Sequence, residues 1–185
     1  MAASVVRICN LALTVLGAAR ILSITEDSEN ARRCNAIFDD IRDEVLAVHP
    51  WNFAIKRVAL GQLATAPAFG FAYQYQLPAD CIRVLEMDTD NTFKVEGKYL
   101  LTDAGTVMIK YIARIEDASF FSSAFVTAMG ERLAAELAYA ITNSTSLRES
   151  MIKTYTFKNS FARAIDGQEG SPEEVSQNEA IDSRE

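Results

Sequence analysis

Apolar residues recur every three or four positions in four stretches of the chain, and at every second position in 106–114 of the region between them. The clearest helical rod runs from Ser122 to Asn143, with Val126, Met129, Leu133, Leu137 and Ile141 on one face. Ser122 or Ser123 caps its start, because a serine hydroxyl accepts from a free backbone N–H there. Asn143 and Ser144 break the pattern at its end. Ala128, Ala135 and Ala138 form a second face of low bulk, against which another helix can pack closely. Glu131, Arg132 and Glu136 interrupt an otherwise apolar surface.

Three other helices are predicted. The first follows Ser4 and runs to about Leu16, with Val5, Cys9, Ala12 and Leu16 aligned and Gly17 as its C-terminal cap. The second begins at Asp27 or Ser28 and carries a stripe of Cys34, Ile37, Phe38, Ile41, Val45 and Val48. Arg32, Arg33, Asp39, Asp40, Arg42, Asp43 and Glu44 fall mostly on its other faces, and Pro50 stops it near His49. The last begins after Ser144 or Ser146, aligns Leu147, Met151, Tyr155, Ala162 and Ile165, and ends at Gly167.

Between the second and third helices short β-like pieces replace the long helical stripes, and the last of them, 106–114, alternates. Strands are expected at 57–60, 73–77, 81–87, 92–97, 98–102 and 106–114, with hairpin turns at Gly97-Lys98 and Asp103-Ala104-Gly105. Both helical pairs have an apolar face to bury. At roughly 1.5–3 kcal/mol per large buried apolar side chain, joining them outweighs the modest entropy of closing the loop between them. The expected fold is therefore α+β: a four-helix bundle (1–56 and 115–166), an inserted small antiparallel β domain (57–114) and a flexible acidic C-terminal tail (167–185).

Composition narrows the function classes. Of the net charge of −7, −5 falls from Gly167 onward, where six acids meet one base. The body is near neutral, a poor basis for neutralising nucleic-acid phosphates. Cys9, Cys34 and Cys81 are odd in number and lack a CxxC spacing, which argues against a disulfide framework. Cys9 and Cys34 are expected as buried small hydrophobes. No apolar run reaches the roughly 18 residues of a membrane span. The apolar start carries only Arg7 and is interrupted by Asn10, unlike a signal peptide.

Candidate chemistry is sparse. His49 is the only histidine and has no sequence-near Asp, Ser or Cys partner, so a cap or packing role is expected. Asp39, Asp40, Asp43 and Glu44 place carboxylates on adjacent turns, but a hard cation needs converging oxygens and the helix spreads these. No nucleophile elbow, phosphate-binding glycine loop or zinc-helix motif occurs. Trp51, Phe53, Phe69, Phe71, Tyr73 and Tyr75 sit around the helix-to-strand junction, with few bases between them, and are expected in a core or interface. No catalytic, cofactor-binding or metal residue is assigned. Ala128, Ala135, Ala138 and Tyr139 are the expected subunit surface.

The order of HPWNFA (49–54), YQLPADCIRVLEM (75–87), EGKYLLTD (96–103), IKYIARIED (109–117), RLAAELAYAIT (132–142) and FARAIDGQEGSPEE (161–174) resembles the tail tubular protein A, or head-to-tail adaptor, family of tailed bacteriophages. The resemblance covers Ser4 to about Glu174. It implies a dodecameric structural ring at the head–tail junction of a virion, made in the bacterial host cytoplasm. Such a ring touches the portal protein above and a tail nozzle or tail-tube protein below, and double-stranded DNA passes through it without specific binding. It implies no enzyme activity, no cofactor and no membrane. Val175, Ala180 and Ile181 are the only apolar anchors in the acidic tail, and the resemblance makes the portal their expected docking partner. The alternatives are a monomeric helical protein-binding module and a metal-assisted hydrolase using the acids of the second helix.

Overall fold

Each helix starts where a serine hydroxyl can accept from a free N–H. The computed structural model describes residues 3–167. Helix α1 spans Val5–Val15, and Ser4 accepts from the Arg7 N–H at 3.2 Å. Helix α2 spans Glu29–Val48; its cap is Ser28, which accepts from Ala31 N–H, while Asp27 pairs with Arg32. Helix α3 spans Ser123–Thr142 and is capped by Ser122. Helix α4 spans Thr145–Gly167, and Ser144 accepts from Leu147 N–H. Between α3 and α4 the chain reverses at Asn143, the one described non-glycine residue with a left-handed backbone (φ 54°), a conformation asparagine tolerates.

Helix α3 packs against each of the other three helices. Gly130 lets α1 approach: a Cβ there would lie 3.2 Å from Leu11 Cβ. Ile8, Cys9, Phe38, Ile41, Val45, Phe125, Met129 and Leu133 share one buried core. Cys9 and Cys34 are both fully buried in it. Contact with the Cys34 thiol, and then burial, raise the Cys9 pKa, so this thiol stays protonated.

The strands are β1 (Ile55–Leu60), β2 (Tyr73–Gln76), β3 (Cys81–Met87), β4 (Phe93–Glu96), β5 (Tyr99–Thr102) and β6 (Val107–Ala113). They form two three-stranded antiparallel sheets, ordered β1-β6-β3 and β2-β5-β4. Tyr75 and Leu100 of one sheet share a core with Val107, Ile109 and Tyr111 of the other. The fold is thus α+β, with four helices and two small antiparallel sheets among the described residues.

Three expectations need correction. Gly97-Lys98 does join a paired β4 and β5, with Gly97 at φ 59°. Asp103-Ala104-Gly105 does not make a hairpin, because β5 and β6 belong to different sheets. The segment is a crossing, fixed by Asp103 accepting from Ala72 N–H and by Tyr75 O–H donating to the Ala104 carbonyl. Arg42 was expected on an outer face of α2 but is buried, with its guanidinium neutralised by Asp39 and Asp43. On α4, Ile165 leaves the inward stripe and is exposed; the inward face near the end carries Asn159, Ala162 and Asp166 instead. The expected tail, with Val175, Ala180 and Ile181, lies outside the described residues beyond Gly167.

Candidate interaction surfaces

Three of the four candidate metal-site acids of α2 are paired with arginines, and the fourth, Asp40, is exposed. Asp43 binds Arg42 and Arg114, Glu44 binds Arg132, and Asp39 binds Arg42. Each pair joins different elements or steadies one side of α2. Among the described residues, no group of three or more His, Cys, Asp or Glu side chains is placed to hold a metal ion. Cys81 is no ready nucleophile either, since burial pushes its thiol up to about 11. None of the described helices is long and apolar enough to cross a membrane.

His49 acquires a partner that its neighbourhood in sequence did not reveal. Its Nε2 lies 2.9 Å from Asp166 Oδ2, across a separation of 117 residues. A carboxylate can only accept, so Nε2 carries the proton. Asp166 also accepts from the backbone N–H of Asn52, and the Asn52 side-chain amide donates to the Asp166 carbonyl. Arg163 donates to the Val48 carbonyl beside them. The HPWN segment is therefore a joint that binds the end of α2 to the end of α4. The same segment turns inward at Trp51, which is fully buried and donates to the Val45 carbonyl at 2.9 Å. Phe53 packs on Phe121 and Phe125.

Burial lowers the His49 pKa; the Asp166 carboxylate opposes this, and the positive charges of Arg163 and Arg83 add to the lowering. The folded state therefore binds fewer protons here than the unfolded state does. Stability from this group is present above the unfolded pKa of about 6.5 and falls as pH drops through that value towards the lower folded pKa. The slope is at most about 1.4 kcal/mol per pH unit. His49 is the only histidine, so His49→Gln should flatten the pH dependence of the urea midpoint between about pH 5.5 and 7. An unchanged slope in that variant would refute the assignment.

The expected subunit surface divides. Ala128, Ala135 and Ala138 are buried inside this chain. Ala128 and Ala135 lie three and four residues from Glu131, on the same face, and Glu131 binds Lys158 of α4. The small face thus receives the chain's own α4 and is closed to a neighbour. Tyr139 alone stays accessible, 52% exposed, in a shallow hollow of about 460 Å³ with Arg148 and Glu149.

What the sequence pattern did not single out is the outer face of α4. Phe157 and Phe161 are 72% and 66% exposed, with Ile165 one turn on. With Ala124, Thr127 and Ala162 they line a groove of about 340 Å³. Isolated exposed apolar residues are ordinary, but a contiguous group of this kind marks an interaction surface. A helical count of Phe157, Phe161 and Ile165 at four-residue spacing could have found it. A second group lies in the strand region, where the exposed Phe69 and Tyr99 border a hollow of about 440 Å³. No family model matches the chain, and no curated protein matches it.

Proposed function

We propose that the chain is a structural head-to-tail adaptor of a tailed bacteriophage, forming a ring between portal and tail that encloses the DNA channel. The observation that carries this reading is the uncovered apolar face of α4, with Phe157, Phe161 and Ile165 exposed together. Such a surface serves assembly. The ordered motifs from HPWNFA to FARAIDGQEGSPEE, which resemble that family, support the reading. In this reading 1–56 and 115–166 make one four-helix bundle, supported by the packing of α1, α2 and α4 on α3, and 57–114 is an inserted β domain. The near-neutral body suits a conduit, since it offers DNA little electrostatic hold.

In the same proposal the portal and a tail nozzle or tail-tube protein are the partners, and the acidic segment around Val175, Ala180 and Ile181 is the portal-docking arm. Mixing the purified chain with the portal protein of the same virus, followed by size exclusion and electron microscopy, should give portal particles carrying an added ring. Portal particles without added density, at any mixing ratio, would remove the adaptor reading.

A further inference from the structure

The chain leaves α4 beside an open apolar groove. Gly167 is the last residue of the helix, two positions past Ile165. Phe157, Phe161 and Ile165 form one wall of the groove at four-residue spacing, and Ala124, Thr127 and Ala162 complete its apolar lining. From Phe157 to Ile165 it runs about 12 Å along the helix, at 1.5 Å per residue. Its one charged lining residue, Lys158, is already paired with the Glu131 carboxylate. The groove therefore offers a ligand apolar surface and little net charge.

Residues 168–185 follow Gly167. Apart from Pro172, their apolar side chains are Val175, Ala180 and Ile181. Val175 lies eight residues past Gly167, and an extended chain of that length reaches up to about 26 Å. The far end of the groove, at Phe157, is only about 15 Å from Gly167 along the helix axis. Val175 thus reaches every part of the groove once the chain reverses. Gly170-Ser171-Pro172 has turn composition at the point where that reversal must fall. Ile181 is six residues further on, enough chain to span the groove from end to end. The hollow beside Tyr139 is a poor rival, since Arg148 and Glu149 line it near the opposite end of α4, about 27 Å from Gly167.

Tethering decides the occupant. A segment joined to the groove by a short linker meets it at an effective concentration on the order of millimolar, so a few modest apolar contacts suffice. We propose that residues 174–182 fold back over α4 of the same chain and seat Val175 and Ile181 against Phe157, Phe161 and Ile165. The contact lies within one chain and does not depend on the adaptor reading. Within that reading it adds a switch: a portal that takes the acidic arm also bares the face of α4 for the next subunit.

The test uses the full chain without portal, with isotope-labelled isoleucine methyls and Ile181 assigned through an Ile181→Val variant. At concentrations where sedimentation gives a monomer, the Ile181 methyl should be shifted upfield and show nuclear Overhauser contacts to phenylalanine ring protons. Phe161→Ala, at an exposed position, should weaken both signals while the chain stays folded by circular dichroism. The paired variant Val175→Asp with Ile181→Asp should bind anilinonaphthalene sulfonate with several-fold higher fluorescence than wild type, and adding Phe161→Asp should abolish that rise. Because the seating is apolar, both results should persist at high salt, which screens exposed charges. An Ile181 methyl at its random-coil shift without ring contacts, or wild-type dye binding equal to that of the paired variant, would overturn the proposal. Ring contacts that arise only in oligomers would give the groove to a second chain and overturn it as well. Neither readout involves the portal, so failure here leaves the adaptor reading to its own test.

Discussion

Trp51→Ala is expected to lower the unfolding free energy by about 3–5 kcal/mol, the usual cost of emptying a large aromatic site. Trp51 has no solvent exposure and stands edge-on to both His49 and Phe125, with ring centroids 4.9 and 5.2 Å away. Its Nε1–H satisfies the Val45 carbonyl in the last turn of α2. Alanine removes the ring, the two aromatic contacts and the donor together, at the point where α2 gives way to the sheets. Trp51→Phe keeps much of the volume and loses the donor, so its cost should be smaller, about 1–3 kcal/mol. Urea unfolding followed by circular dichroism measures both, since Trp51 is the only tryptophan and its fluorescence is lost in the variants. A change below about 0.5 kcal/mol for the alanine variant, typical of surface positions, would contradict the burial.

The contrast between what was legible and what was not follows sequence distance. Ser4, Ser28, Ser122 and Ser144 each accept from the N–H three residues on, so a local pattern suffices to find them. The strands were likewise readable as short β-like pieces, the last of them by alternation, and their observed bounds differ from expectation by only a residue or two. Spacing also showed that a helix could pack on the small face of α3. It could not show that the helix would be α4, because that depends on how the chain reverses at Asn143. The partner of His49 lies 117 residues away, and nothing near either residue encodes the pairing. Arg42 is a related case. A charged residue on a helix reads as solvated, yet Asp39 and Asp43 on the same helix neutralise it and allow it to be buried. The exposed groove is hidden for a different reason: the stripe of Leu147, Met151, Tyr155, Ala162 and Ile165 leaves out Phe157 and Phe161, and periodicity identifies a face but not what covers it.

Asp166 is where these distant ties converge, and Asp166→Ala should both destabilise the chain and localise the damage. The side chain is buried, receives His49 Nε2–H, and lies within hydrogen-bond reach of Asn52 N–H. Removing it leaves buried donors without an acceptor, at about 1–3 kcal/mol. The Asn52 amide bond to the Asp166 carbonyl survives any side-chain change, so α4 should loosen at its end rather than detach. Amide hydrogen exchange should therefore quicken over the last two turns of α4 and around 49–52, while Val107–Ala113 in β6 keeps its protection. Asp166→Asn retains an acceptor oxygen and should recover part of the stability. It also removes the charge that favours protonated His49, so its urea midpoint should decline more steeply on acidification below about pH 6.5 than that of wild type. Faster exchange spread evenly over all four helices would show that the tie is not local, and unchanged exchange at 160–167 would show that this end of α4 is held by its packing on α3 alone.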